Sequence, residues 1–321
     1  MLRIVFMGSP EFAVPTLEAL IAHPECEVCA VVTQPDKPAG RGKQLTPPAV
    51  KVCAQAHDIP IFQPEKLKTQ EMYDALTAIA PDFFVTIAYG KILRQAFLDI
   101  PKIAPLNLHA SLLPKYRGAA PVQWAILNGE TQTGVCLMKM DAGMDTGPVY
   151  AREVVDIAPN ETPVTLFDKL SKVSAKILMD NLFDIAAGKI EPVPQSGEPT
   201  MAPMLDKSMG LIDFNQDAHD LACRIRGLSG WPNAYTFFEG KRLVIHEAVA
   251  TDVSCSFPPG YITVLDADTK SLLVACASGM LAIRTLQLEG KTRMSAESFY
   301  NGYKPTGRLL TKRHESQWTL I

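Results

Sequence analysis

Apolar residues in the first half of the chain fall in short dense runs, separated by stretches where they recur every three or four positions. Residues 2–7 (L-R-I-V-F-M) form one run, broken only by Arg3, and residues 28–33 and 83–88 form two more. Runs of this kind suit parallel strands covered on both faces. Between them, Val14, Leu17 and Leu20 lie on one helical stripe after the turn Gly8-Ser9-Pro10-Glu11, and residues 49–57 and 70–79 also read as helices. This β-α-β-α rhythm predicts an α/β fold with a Rossmann-like, doubly wound parallel sheet, in which ligands bind beyond the carboxyl ends of the strands. Thr162 as N-cap and Pro163 at the first helical position open another helix, which Gly188 can close.

The pattern then changes. Residues 189–205 hold four prolines and Gly197 with little periodicity, and read as a linker between an N-terminal catalytic domain at 1–188 and a second domain at 206–321. Beyond the linker a helix is predicted at 217–225, followed by short β-like runs at 234–238, 243–248, 260–265, 271–276 and 281–286. Turn-prone pairs such as Glu239-Gly240 and Ser278-Gly279 divide several of them, which predicts a small OB-like β-barrel.

Candidate chemistry concentrates between residues 107 and 145. Asn107 and His109 are two apart, so on a strand they project to the same side. The irregular segment S-L-L-P-K-Y-R-G follows at 111–118, and Asp145 ends the Gly-containing stretch D-A-G-M-D at 141–145. An amide that donates without titrating, an imidazole that titrates near neutral pH and a carboxylate are the parts needed to move an acyl group onto a nucleophile. The first turn, G-S-P-E-F-A, lacks the G-x-G-x-x-G of a dinucleotide site and places Glu11 where a pyrophosphate would be repelled. That argues against a nicotinamide dehydrogenase.

Composition adds constraints. The 321 residues are 47% hydrophobic and 20% charged, with a net charge of −3 and a pI near 6.1, which does not announce a nucleic-acid binder. The basic residues are nonetheless clustered. Residues 33–51 carry Lys37, Arg41, Lys43 and Lys51 against Asp36 alone, and residues 284–313 carry seven basic residues against two acidic ones. Long loops in compact domains are usually functional or disordered, and basic clusters on an acidic chain suit a phosphate backbone. No apolar run approaches the roughly 20 residues that span a bilayer. The N-terminus reads directly into a strand rather than a targeting segment, so a cytoplasmic protein is expected. Seven scattered cysteines argue against a disulfide framework, and Cys26-Glu-Val-Cys29 reads as small hydrophobes at a strand edge.

The ordered combination N-x-H, S-L-L-P-x-Y-R-G and D-x-G-x-D resembles the formyltransferases that use 10-formyltetrahydrofolate, and the resemblance runs along nearly the whole chain. It implies catalysis by Asn107, His109 and Asp145, and contact with the folate by Ser111, Leu112, Leu113 and Pro114, largely through backbone. It implies formyl transfer to the α-amine of methionine on initiator Met-tRNA, with release of tetrahydrofolate. The 33–51 loop would meet the acceptor stem through Arg41, flanked by Lys37 and Lys43, and the C-terminal barrel would assist tRNA binding. No metal is expected, because Asn107 and His109 can polarise the carbonyl, and the chain is expected to act as a monomer. A small amine, such as an amino sugar nucleotide or glycinamide ribonucleotide, is the alternative acceptor; the two basic segments argue against it.

Overall fold

A computed structural model describes residues 1–39, 44–251, 253–254 and 256–312. The chain forms two compact units. The first takes Met1–Val122, Gln132–Asp156 and Leu166–Pro203; the second takes Gln123–Thr131, Ile157–Thr165 and the chain from Met204 onward.

The strands of the first unit are β1 (Leu2–Gly8), β2 (Cys26–Val32), β3 (Lys37–Ala39), β4 (Gln44–Thr46), β5 (Ile61–Phe62), β6 (Phe83–Ile87), β7 (Ala104–His109), β8 (Gln132–Lys139) and β9 (Val149–Asp156). Seven of them make one sheet in the order β5-β2-β1-β6-β7-β8-β9. The five from β5 to β7 are parallel, and β8 and β9 add an antiparallel edge. The apolar runs explain the central strands: Ile4, Val5, Phe6 and Met7 of β1 and all five residues of β6 are buried. α1 (Val14–Ala22), α2 (Ala49–Ala56) and α3 (Gln70–Ile79) fill the connections where the helical stripes lie. α3 starts where the Thr69 hydroxyl accepts the Met72 N–H at 3.2 Å, and ends at Ala80 with a left-handed φ of 51°. The short helices α4 (Gln95–Leu98) and α5 (Pro121–Leu127) precede and follow β7, and α6 (Pro163–Ala186) is the helix expected after Thr162.

Two segments differ from their expected character. Residues 33–51, read as an expanded loop, contain an antiparallel pair, β3 with β4, in which Lys37 faces Thr46 and Ala39 faces Gln44, and their last three residues open α2. Residues 189–205, read as a linker, are tied into the first unit as far as Ala202: Val149 and Val193 exchange main-chain hydrogen bonds, as do Arg117 with Thr200 and Ala202.

The second unit contains α7 (Ala218–Gly227), capped by Asp217, which accepts the His219 N–H at 2.7 Å. Its strands β10 (Ala234–Phe238), β11 (Lys241–Thr251), β12 (Ile262–Leu265), β13 (Leu272–Ala275) and β14 (Met280–Leu288) form an antiparallel sheet in the order β10-β11-β14-β13-β12. β15 (Met294–Ser295) pairs with β14 and leads into α8 (Ala296–Tyr303). Glu239 and Gly240 both take positive φ in the turn joining β10 to β11, as a two-residue hairpin of right-twisted strands requires. The sheet closes through the segment 308–311. Thr311 exchanges two hydrogen bonds with Phe237 of β10, while the Leu310 N–H goes to Gly260 and the Ile262 N–H to Arg308. One strip of backbone thus satisfies both outer strands, which is the barrel closure that removes exposed edges. Phe238, Leu243, Ile283 and Phe299 are fully buried inside it.

In the first unit, Tyr89 sits just beyond β6 in a core with Val5, Met7, Val32, Phe84 and Leu93. The residue is 1% exposed and its hydroxyl meets no hydrogen-bond partner among the described residues, and burial pushes the phenol up to about 12. An unfolded tyrosine titrates near 10. Between about pH 10 and 12 the unfolded chain therefore releases a proton that the folded chain keeps, and stability falls as pH rises. Tyr89→Phe is expected to flatten that fall and to be neutral or stabilising near pH 7, because it deletes a buried hydroxyl without a partner. Urea denaturation of both proteins at neutral pH and across this alkaline window measures the difference.

Candidate active site

β7 lies where the parallel part of the sheet meets its antiparallel edge. Its register places Asn107 beside Thr86 of β6 and Met138 of β8, and His109 beside Cys136. Asn107 and His109 share one face at the carboxyl end of the strand, where a doubly wound sheet exposes backbone and side chains to a ligand. Asn107 is half-buried and His109 is 6% exposed.

The His109 ring is held from both sides. Nε2 lies 2.9 Å from the carbonyl oxygen of Tyr116. A carbonyl only accepts, so Nε2 carries a hydrogen and Nδ1 is the ring nitrogen left for another partner. Nδ1 faces the Asp145 carboxylate, with Oδ2 at 3.6 Å. That is ion-pair distance, longer than a hydrogen bond. The same Oδ2 accepts the Gly118 N–H at 2.9 Å. The loop after β7 therefore touches both partners: Tyr116 holds the imidazole, and Gly118, two residues on, holds the carboxylate.

The turn carrying Asp145 is built by its neighbours. Asp141 accepts the Gly143 N–H at 3.1 Å and the Thr146 hydroxyl at 2.6 Å. Asp141 thus caps the turn, which leaves Asp145 to face the imidazole. A Cβ at Gly143 would stand 2.0 Å from Thr146 Oγ1, so the turn needs glycine there. Asp145 itself takes φ of 54°, the left-handed region that aspartate tolerates better than most residues.

Residues 111–118 are anchored at several points. Ser111 is fully buried, and its hydroxyl donates to the Lys115 carbonyl at 2.6 Å. Leu113 is 2% exposed and packs with Cys136, Met138 and Val149. Its N–H donates to Cys136 Sγ at 3.4 Å, and burial pushes that thiol up. The Pro114 carbonyl accepts from Thr200, and the Tyr116 N–H donates to the Thr200 hydroxyl at 2.9 Å. Gln195 completes the frame. Its Oε1 accepts from Arg117 Nε at 3.2 Å and Nη2 at 2.7 Å, while its Nε2 lies 2.8 Å from the carbonyls of both Asp145 and Gly147.

Asn107, His109 and Asp145 thus come together, with residues 111–114 starting directly beyond His109. Sequence reasoning missed Tyr116, Gly118, Gln195 and Thr200. The first two lie inside a recognised motif but act through backbone, and the other two sit in the proline-rich stretch. Lys37 is exposed and donates to Gln34, and Lys51 forms a 2.9 Å ion pair with Asp36. Arg41 and Lys43 lie outside the described residues. Of the C-terminal basic residues, Arg284, Arg308 and Lys312 pair with Glu247, Glu239 and Asp213, while Lys291, Arg293 and Lys304 are exposed. No cluster of potential metal ligands occurs among the described residues, and no described helix is long and apolar enough to cross a membrane.

A Rossmann-like sheet with an amide, an imidazole and a carboxylate at its carboxyl edge, followed by an antiparallel β unit, defines a two-domain group-transfer enzyme. Residues 2–182 match the family model for formyl transferase, and residues 204–304 match that for the formyl transferase C-terminal domain. The chain belongs to the formyl transferase family. It is 47% identical over 305 residues to the methionyl-tRNA formyltransferase of Geobacter sulfurreducens, covering 94% of each chain. It is 46% identical over 317 residues to the methionyl-tRNA formyltransferase of Citrifermentans bemidjiense, covering 98% of each. Among solved structures, the sugar 3N-formyl transferase WlaRD, crystallised with dTDP and 5-N-formyl-THF, shares the fold with a TM-score of 0.65 at 19% identity, covering 91% of this chain and 99% of that one. HypX from Aquifex aeolicus, in complex with tetrahydrofolic acid, has a TM-score of 0.61 at 16% identity, covering 96% of this chain and 48% of that one.

Gly118 tests the frame. Its φ is 124°, and a Cβ there would stand 2.7 Å from the Ala202 carbonyl oxygen. Gly118→Ala is expected to cost about 1–3 kcal/mol of stability. It should also lower turnover, because the N–H that holds Asp145 must move. Thermal melts and single-turnover rates read the two effects.

Proposed function

We propose that the chain transfers the formyl group of 10-formyltetrahydrofolate to the α-amine of methionine on initiator Met-tRNA, giving formylmethionyl-tRNA for translation initiation, with Asn107, His109 and Asp145 as the catalytic residues. The observation that carries the assignment of roles is the ring of His109, fixed through Nε2 by Tyr116 and turned with Nδ1 toward Asp145. Near-full-length identity to methionyl-tRNA formyltransferases supports the choice of donor and acceptor.

In this reading the neutral amine attacks the formyl carbon, a nitrogen–carbon bond forms, and the carbonyl π pair moves onto oxygen. Asn107 donates its amide N–H to that oxyanion, and His109, protonated at Nδ1, donates beside it. Asp145 carries the opposite charge and accepts the proton lost by the attacking nitrogen. Collapse of the oxyanion breaks the bond from carbon to N10 of the folate, and N10 takes up the proton from Asp145. The residues 111–114 border the folate, with Ser111 and Leu113 acting from buried anchors and Leu112 and Pro114 lying closer to the surface. The acceptor stem meets the basic segment of Lys37, Arg41 and Lys43, and the exposed Lys291, Arg293 and Lys304 add longer-range attraction to phosphate. The enzyme acts as a monomer in the cytoplasm.

Each well-placed oxyanion donor is worth about 3–4 kcal/mol in the transition state, or roughly 10²–10³ in rate. Asn107→Ala and His109→Ala are expected to lose turnover by that factor while Met-tRNA affinity stays within about twofold; a variant that keeps normal turnover removes its residue from the mechanism. Arg41→Ala is expected to lower kcat/KM for Met-tRNA by about tenfold, the scale of one lost phosphate contact, and to spare folate binding. Equal loss of folate affinity would sink that role. The direct test of function offers labelled formyl donor to Met-tRNA, free methionine and an amino sugar nucleotide in parallel. Label is expected on Met-tRNA alone, whereas label on the sugar alone would make the chain a sugar-amine formyltransferase.

A further inference from the structure

The geometry points to Gln195 as the residue that positions Asp145 for catalysis, which makes the proline-rich stretch after α6 a working part of the active site. This rests on the catalytic role proposed above for Asp145 and His109.

The Gln195 carboxamide uses its full hydrogen-bonding capacity at one place. Its nitrogen donates to the Asp145 and Gly147 carbonyls, both at 2.8 Å. Its oxygen accepts from two nitrogens of Arg117, at 3.2 and 2.7 Å. Only an amide offers two donors and two acceptor positions on one planar group. A carboxylate would keep Arg117 but repel both carbonyls, and a lysine would keep the carbonyls but repel Arg117.

Those contacts fall on both arms of the catalytic pair. Asp145 and Gly147 belong to the turn that aims the carboxylate. Arg117 lies between Tyr116, whose carbonyl fixes His109 Nε2, and Gly118, whose N–H holds Asp145 Oδ2. Asp145 also sits at φ of 54°, and a non-glycine residue there persists only when its surroundings hold it. Gln195 grips the carbonyl of that residue directly. It is not needed to seat the stretch it belongs to: the Arg117 N–H bond to the Thr200 carbonyl at 2.9 Å and the Ala202 N–H bond to the Arg117 carbonyl at 2.7 Å do that independently. Its removal should leave the fold intact while the carboxylate loses its aim.

The test is a double-mutant cycle on the full-length enzyme, read in kcat with Met-tRNA and 10-formyltetrahydrofolate. Gln195→Glu and Gln195→Met should each lower kcat about tenfold or more, with both KM values within about twofold and little change in Tm. In an Asp145→Asn background the same substitutions should cost little further, because their effect runs through Asp145. Wild-type kcat in Gln195→Glu, or equal losses with and without Asp145, would overturn the inference and leave Gln195 a structural brace. His109→Ala, assayed alongside, keeps the two ideas apart: full activity there refutes the catalytic reading itself, whereas a dead His109→Ala with an active Gln195→Glu refutes only the role of Gln195. If either substitution lowers Tm substantially, the other is used.

Discussion

A half-buried carboxylate must be held by donors, and most of the first unit's irregular structure answers that demand for Asp145. The side chain takes one N–H from Gly118, and its main-chain carbonyl is held by Gln195. Each of those groups is placed by something else: Gly118 by the loop that Thr200 pins, and Gln195 by Arg117. Remove the carboxylate and the loop, the turn and the proline-rich stretch share no common purpose. The regular sheet beneath supplies the platform, because β7 carries Asn107 and His109 on one face.

The regular sheet was legible because burial on both faces forces a simple pattern. Strands β1 and β6 have nowhere to put a polar residue, so their sequences are nearly pure apolar runs, and Thr162 and Gly188 mark the ends of α6 by local chemistry. β8 and β9 were not read as strands. β8 is interrupted by Gly134, where a Cβ would stand 2.1 Å from the Glu153 carbonyl, and β9 is an edge strand with several exposed positions. The barrel strands were located, β10 at its observed bounds; β12 and β13 are shorter than their apolar runs, while β11 extends beyond its run at both ends into exposed and half-exposed residues and β14 runs on to Leu288.

The candidate site divided along similar lines. Asn107, His109 and Asp145 stand out because their side-chain types and spacing carry meaning. Tyr116 and Gly118 act through a carbonyl and an N–H, which every residue type other than proline possesses, so the letters alone do not reveal them. Gln195 lies fifty positions from Asp145 in a stretch with no periodicity. Four prolines there suggested a spacer, yet proline also stiffens a chain that must lie flat against a loop and present one amide at a fixed place. The C-terminal basic cluster shows the opposite error. Counting charges overstated it, because Arg284, Arg308 and Lys312 each have an acidic neighbour in the fold.

The anchoring of His109 through Nε2 has a stereochemical side. The ring presents one free nitrogen edge, and Asp145 lies on that edge. In the mechanism proposed above, Asn107, His109 and Asp145 therefore keep fixed places around the reacting carbon. At the tetrahedral stage that carbon bears hydrogen, oxygen and two unlike nitrogens, so it is a stereocentre. In that mechanism the formyl carbon is attacked from one fixed side and passes through one hand of that centre only. Neither the flat formyl group that enters nor the flat formamide that leaves retains any trace of it.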